Sequence, residues 1–476
     1  MNLGDVATQT NNSGREELGL QSFFGRIGYI YADKYLFEAN VRYDGSSRFG
    51  DGHKWGTFPS FSIGWRTSEE KFMQNIKWLT NLKIRASWGK LGNQNINSYY
   101  AAINVLSTGN NYSLAGNLKP GVATTSLANT GTKWETTTQT NVGIDLGVGK
   151  NWNFTLDYFY KKTDDILVQI PIPITMGGLT APYQNVGQVD NKGFEFSANW
   201  VKQLNKDLNI NTTFNISHIK NEVKDLHGRS PIIAGATVLM EGEAINSLYG
   251  YKVDGLYQIS DFTWQDNSNE SIPHENRKYI LKKDVVSVNN FTAQPGDLKY
   301  RDLDGDGIVT MEHDRTVIGK QFPDFIYSLQ TNIIWKNFDC SIFFQGVQGL
   351  EGYQYFLPFD NFKNTPIWFK DRWTPSHTHT SIPRLVKDDN RNLINSETYV
   401  ENASYLRLKN IEIGYTLPRN WLNKIGISNV RIYGNIQNAF TITNFRGYDP
   451  ERPVTETGVT AYPQTRIYSF GVNLEF

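Results

Sequence analysis

Long runs of strictly alternating apolar and polar side chains recur along this chain, and no other feature restricts its fold as much. The last run, Arg466 to Phe476, puts Tyr468, Phe470, Val472, Leu474 and Phe476 on one face. Ser469, Gly471, Asn473 and Glu475 fall on the other. Period two is the signature of a β-strand with one apolar and one polar face. Trp152, Phe154, Leu156, Tyr158 and Tyr160 alternate in the same way with Asn153, Thr155, Asp157 and Lys161, with Phe159 as the exception. Tyr35, Phe37, Ala39, Val41 and Tyr43 do so against Glu38, Asn40 and Arg42, and Phe194, Phe196, Ala198 and Trp200 against Glu195, Ser197 and Asn199. A soluble strand is typically about 5–6 residues long, whereas a tilted strand that crosses a bilayer needs about 9–11. Several of these runs reach the longer figure.

The connections carry a second pattern. Thirteen strands are predicted, over 20–32, 34–46, 54–67, 82–93, 133–148, 151–165, 193–203, 207–219, 324–336, 338–348, 403–417, 428–442 and 464–476. Ala32-Asp33-Lys34, Gly149-Lys150-Asn151, Leu204-Asn205-Lys206 and Lys336-Asn337 are tight turns. Between them lie long excursions at 94–132, 166–192, 220–323, 349–402 and 443–463. Two short-side connections are longer: Ser68 to Asn81, which reads as including a helical turn, and Leu417 to Asn429, with Pro418, Trp421, Leu422, Ile425 and Ile427. Short turns on one side and long loops on the other are the layout of antiparallel outer-membrane barrels. The fold class expected is therefore all-β, an antiparallel transmembrane β-barrel portion.

Composition agrees. Hydrophobic residues make up 39% of the 476, and mean hydropathy is −0.47. No apolar run approaches the roughly 18 residues of a spanning helix, whereas alternation halves the apolar content of a barrel. Aromatic content of 13% suits girdles at two membrane interfaces. Lys plus Arg (47) equals Asp plus Glu (47), which leaves no field to hold nucleic acid. One cysteine, Cys340, excludes an internal disulfide framework and reads as a small packing residue in a strand. The first residues, Met-Asn-Leu-Gly-Asp-Val-Ala-Thr, have neither a basic n-region nor an apolar h-region. The expectation is that 1–19 is a truncated lead-in and that 20–476 is the C-terminal part of a barrel. About thirteen strands fall short of the roughly 22 of large plugged transporters.

Several stretches resemble one family. They are Lys133-Trp-Glu-Thr-Thr137, Tyr183-Gln-Asn-Val-Gly187 leading to Asn191-Lys-Gly-Phe-Glu195, and Tyr405-Leu-Arg-Leu-Lys-Asn-Ile411 running to Gly414-Tyr-Thr-Leu-Pro418. Asn435-Ile-Gln-Asn438, Arg446-Gly-Tyr-Asp-Pro-Glu451 and Tyr462-Pro-Gln-Thr-Arg466 follow. In this order they resemble the C-terminal half of a SusC/RagA-type TonB-dependent transporter of Bacteroidetes. The resemblance implies an outer-membrane barrel of about 22 strands with an N-terminal plug, and import of glycans, oligosaccharides or peptides powered through TonB. It also implies a SusD/RagB-like surface lipoprotein as lid. No plug, TonB box or signal is identified here. The alternatives are a passive porin or adhesin barrel and a soluble secreted carbohydrate-binding β protein.

The sharpest local motif is Asp302-Leu-Asp304-Gly-Asp306-Gly307, which opens like an EF-hand calcium loop, with acids at positions one, three and five and Gly at six. Position twelve is His313, flanked by Glu312 and Asp314. Asp302, Asp304, Asp306, Glu312 and Asp314 are thus the candidate calcium ligands, as a structural staple, against the competing reading of a solvated turn. A calcium loop in an external excursion is also what the resemblance implies. His377 and His379 lack an identifiable third ligand and read as a loop coincidence. Asp164-Asp165 and Asp388-Asp389 are adjacent pairs, which point apart on a strand. No HExxH, P-loop, G-x-S-x-G or CxxC occurs, so the chain reads as a non-enzyme. Tyr249, Tyr251, Tyr257, Trp264, Tyr353, Tyr355, Phe356, Trp368 and Trp373 supply loop aromatics for either sugar stacking or loop packing.

Overall fold

The computed structural model describes residues 13, 15–170, 172–265, 271–354, 365–387, 391–422, 426–447, 449–451 and 464–476. Thirteen long strands form one sheet: β1 (Leu20–Tyr31), β2 (Tyr35–Ser46), β3 (Trp55–Arg66), β4 (Leu79–Asn93), β5 (Glu135–Val148), β6 (Trp152–Asp164) and β7 (Gln188–Gln203). The series continues with β8 (Leu208–Asp225), β9 (Phe325–Trp335), β10 (Phe338–Gln348), β11 (Tyr405–Thr416), β12 (Asn429–Thr443) and β13 (Ile467–Glu475). Each pairs antiparallel with its neighbours in chain order, the meander that tight hairpins on one side dictate. The β1–β2 turn places Ala32 and Asp33 at φ +51° and +56°, the double left-handed geometry of a type I′ turn. Among their described residues the two longer short-side connections hold short helices, Thr67–Glu69 and Arg419–Leu422. Ile425 of the second lies outside the described residues.

The pleat separates two environments. Leu156, Tyr158, Val41, Ile63, Ile413 and Phe470 stand exposed on the outward face. Aromatics bound this belt near the turns, where Trp152 meets Trp200 at 6.0 Å and Phe338 meets Tyr415 at 4.6 Å. At the other margin Tyr43 stacks on Trp55 at 4.6 Å and Phe61 on Trp88 at 6.0 Å. From Trp152 to Tyr160 the strand rises about 27 Å, which a 35–45° tilt reduces to roughly 20 Å, close to the height of an apolar barrel band. Cys340 is half-buried in β10 and free.

Three strands outrun their predicted ends by three residues or more. β4 begins at Leu79, β7 begins at Gln188 and β8 reaches Asp225. Above the belt, β7 and β8 bury Val189 and Val223 among loop residues Val186, Leu226 and Leu239. A face covered by loop residues no longer follows the one-sided alternation that marks a lipid-facing strand. β1 and β13 have no sheet partner on their outer edges among the described residues, and every β1 side chain is exposed.

Leu156→Arg, in mid-belt, is expected to destabilise the protein in lipid by about 2–4 kcal/mol, while Ser197→Arg on the opposite face costs under about 1 kcal/mol. Urea unfolding from vesicles measures both. Equal costs would contradict the assignment of faces.

Candidate functional site

The inner wall is polar and internally charge-paired. Arg85 on β4 reaches across β5 to clamp Asp157 on β6 with two contacts of 2.6 Å, and also bonds Asp145 at 3.2 Å. The strand it crosses carries Gly143, in register with both Arg85 and Asp157. A Cβ there would stand 2.6 Å from the guanidinium carbon, so glycine is what lets the arginine pass. Arg431 on β12 repeats the device over Gly414, bonding Asp339 at 2.9 Å and Glu412 at 2.6 Å. Amides and hydroxyls fill the spaces between, as where Asn199 donates to Asn211 and Thr213 at 2.8 Å each. A groove of about 470 Å³ opens on this face, lined among others by Thr155, Asp157, Glu195, Ser197, Asn215 and Ser217.

A third arginine was not singled out in the sequence. Lys409 in β11 is an extra residue against β10, a β-bulge, and the register against β12 shifts at the same point, where Asn438 and Ala439 lie opposite it. Bulges of this kind re-aim side chains. Arg407, only 2% exposed, bonds Asp449 at 2.7 Å and also pairs with Glu451. Lys409 bonds Glu451 at 2.6 Å, and Tyr405 donates to it at 2.9 Å. The motif stretches at 405–411 and 446–451 therefore meet in one buried ion network, except Tyr448, which lies outside the described residues. The same holds for Tyr462 and Pro463 of the last stretch.

On the long-loop side, the excursions after β8 and β10 share one core. Leu248, Tyr251, Leu298 and Tyr300 of the first pack with Tyr353, Trp373 and Tyr399 of the second. The Asp297 carboxylate joins them, accepting from Arg384 at 2.5 Å and Asn392 at 3.1 Å. Burial pushes the Tyr300 and Tyr399 phenols above their usual range. Tyr251, Tyr257, Tyr353 and Trp373 are thus buried packing residues and are not presented to a ligand. Tyr249 carries Arg315 over its ring at 5.4 Å, Trp264 carries Arg277 at 4.6 Å, and Trp368 lies between Phe369 at 4.2 Å and Arg446 at 4.7 Å. Tyr355 and Phe356, like Asp388 and Asp389, lie outside the described residues. His377 bonds Asp371 at 2.8 Å, and neither it nor His379 joins a metal-ligating group among the described residues. Asp164 and Asp165 pair separately, with Lys162 at 3.1 Å and Lys133 at 2.8 Å.

The acidic loop brings together three of its five predicted ligands. Oxygens of Asp302, Asp304 and Asp306 lie within 4.8 Å of one another. Asp302 accepts N–H bonds from Gly305 at 2.7 Å and Gly307 at 2.8 Å, and both glycines adopt positive φ (+79° and +88°). Those bonds, that from Gly307 foremost, hold the Asp302 carboxyl below its usual range. Asp314 stands apart. It is fully buried and accepts from the Leu303 N–H at 2.7 Å and the Thr310 N–H at 2.6 Å, closing the loop from within. Glu312 is exposed, and His313 approaches Asp304 at 3.7 Å. Three converging carboxylates suit a hard cation, since each oxygen keeps lone pairs beyond its N–H bond.

Residues 2–439 match the family model described as TonB dependent receptor-like, beta-barrel. The chain belongs to that family. TonB-dependent receptor P3 of Formosa agariphila is 34% identical over 99% of this chain and 47% of its own length. TonB-dependent receptor SusC of Bacteroides thetaiotaomicron is 29% identical over 96% of this chain and 44% of its own. The chain thus spans about half the length of the curated relatives it matches. The solved RagAB peptide transporter superposes with a TM-score of 0.77 over 96% of this chain and 47% of that one, at 23% identity, a likeness of fold. The chain is accordingly a TonB-dependent receptor barrel portion of the outer membrane, and its family is one of transporters and receptors. No helix among the described residues is long and apolar enough to cross a membrane; the strands do so.

Because the folded Asp302 carboxyl titrates below its unfolded value, its contribution to loop order is fully present above the ordinary Asp range. It is lost as pH falls through the lowered value. Amide exchange at Gly305 and Gly307, followed downward from pH 6 to pH 3, should stay protected past about pH 4, where a free aspartate is half protonated. Loss of protection above that point would contradict the hydrogen-bonded carboxylate.

Proposed function

We propose that this chain is the barrel part of a TonB-dependent importer of glycans, oligosaccharides or peptides, working with a SusD/RagB-like surface lipoprotein. The observation that carries the reading is the pairing of a lipid-facing apolar belt with a polar inner wall on a sheet whose β1 and β13 edges have no partner among the described residues. Such edges call for further strands to close a barrel of about 22. A wall of hydroxyls and amides, with its arginines neutralised by carboxylates, suits passage of hydroxyl-rich neutral molecules without trapping them by charge. Outer-membrane lipid surrounds the belt. TonB would act through segments that the longer relatives carry, and the co-folded loops after β8 and β10 would present a firm outer surface to the lipoprotein.

Uptake of labelled oligosaccharides by cells producing the protein, with and without collapse of the proton gradient, tests this. Accumulation that stops with the gradient is expected. Uptake that continues unchanged would replace the active importer with a passive porin.

The same reading makes the acidic loop a calcium staple held by Asp302, Asp304 and Asp306, with Glu312 and Asp314 as flanking acids. Calorimetry is expected to show calcium binding that Asp304→Ala removes, with the loop becoming more protease-sensitive. Absence of binding, with loop cleavage unchanged in the variant, leaves a solvated turn.

A further inference from the structure

The outward face above the lipid belt carries a cluster of lysines from β4 to β8. One cross-strand row runs Trp88, Thr140, Tyr160, Lys192 and Lys220 from β4 to β8. The next row toward the loops runs Lys90, Thr138, Lys162, Asp190 and Glu222. Lys224 follows at the end of β8 and pairs with Glu222. Five lysines therefore lie on one arc of five adjacent strands, about 20 Å wide at the usual strand spacing. Directly below them stand the exposed apolar residues Tyr158, Val142 and Leu156. Farther around, the outward positions that continue the Leu156 and Phe154 rows are mostly apolar too: Tyr327 and Leu329 on β9, Phe344 on β10, Leu406 on β11, and Phe440 and Ile442 on β12.

The local carboxylates do not neutralise this arc. Lys162 bonds Asp164 at 3.1 Å and Lys220 bonds Glu222 at 3.3 Å. Asp190 is only 8% exposed and is occupied by the Tyr160 hydroxyl at 2.7 Å and Gln188 at 2.9 Å. Lys90 and Lys192 are exposed and carry no ion pair among the described residues. Five lysines against the four carboxylates Asp164, Asp190, Glu222 and Asp225 leave a net charge of +1, with the Thr138 and Thr140 hydroxyls between the lysine-bearing strands. The arc sits where the belt passes into the headgroup layer, because Tyr160 and Trp88 mark the margin of the apolar band.

We propose that Lys90, Lys162, Lys192, Lys220 and Lys224 form a docking patch for phosphate-bearing headgroups of outer-leaflet lipid. Lysine stems lie along the apolar belt while their ammonium groups rise to the headgroups, the arrangement expected of long cationic side chains at an interface. A phosphate monoester carries charge near −2 at neutral pH and accepts several hydrogen bonds, matching both the unpaired ammonium groups and the threonine hydroxyls. Headgroup binding would fix the orientation of this arc in the leaflet, beneath the excursions that follow β4 and β6.

The test compares retention of phosphorylated lipid A with retention of the same lipid A after phosphatase treatment, on protein purified in mild detergent and examined by native mass spectrometry. About a tenfold preference for the phosphorylated form is expected. The triple variant Lys162→Gln, Lys192→Gln, Lys220→Gln should lose the preference, and the matching arginine triple should keep it. Millimolar inorganic phosphate should not displace the lipid, because free phosphate lacks the acyl chains that hold the headgroup at the belt. Equal retention of both lipids would overturn the proposal. So would an unchanged glutamine variant, an arginine variant that loses the preference, or displacement by free phosphate.

Discussion

Every backbone N–H and C=O that enters hydrocarbon must find its partner within the protein. For a chain with no long apolar helix the solution is a sheet whose strands are each paired on both sides, and most of what is described here follows from it. Strands must be long enough to cross, so they exceed ordinary length. One face meets lipid and the other a polar interior, so side chains alternate. Consecutive strands must be neighbours, so connections on one side are short, four of the six being tight turns. The loops on the opposite side are released from these requirements, and there the chain places its irregular structure, its buried aromatic core and its acidic turn.

The interior solves a different problem. Charged side chains on the inner face lie at intermediate burial, where an unpaired charge is costly. Arg85 and Arg431 each satisfy two carboxylates on other strands, and each needs a glycine beneath the guanidinium to get there. Glycine in a strand normally weakens it; at Gly143 and Gly414 it creates a crossing. Arg407 meets the same requirement through a bulge, which turns it into the Asp449 and Glu451 network. These clusters tie strands far apart in sequence, so the wall is cross-braced independently of the backbone ladder.

The strand set was legible in the sequence because lipid imposes a one-sided pattern. All thirteen strands lie where the alternation places them, and misplacement is confined to ends such as Gln188 and Asp225, where loop residues pack over the inner face. The loop chemistry was less legible. Tyr251, Tyr257, Tyr353 and Trp373 have the composition of a sugar platform, but they are core residues of two excursions that fold together across distant sequence. Nothing local to Asp314 distinguishes a ligand from a loop-closing carboxylate; only its burial beneath the Leu303 and Thr310 amides does. The lysine arc was equally hidden, because its members are scattered from position 90 to 224 and meet only through strand register.

The separation of a lipid face from a lumen face is the claim on which the rest stands. Its most direct test is a scan of single nitroxide labels from residue 152 to 160, in protein held in membranes and with Cys340 replaced by alanine. Relaxation by membrane-dissolved oxygen should peak at 152, 154, 156, 158 and 160, and relaxation by a water-soluble nickel chelate at 153, 155 and 157. Uniform access of the water-soluble relaxant along β6 would contradict a membrane-spanning barrel strand.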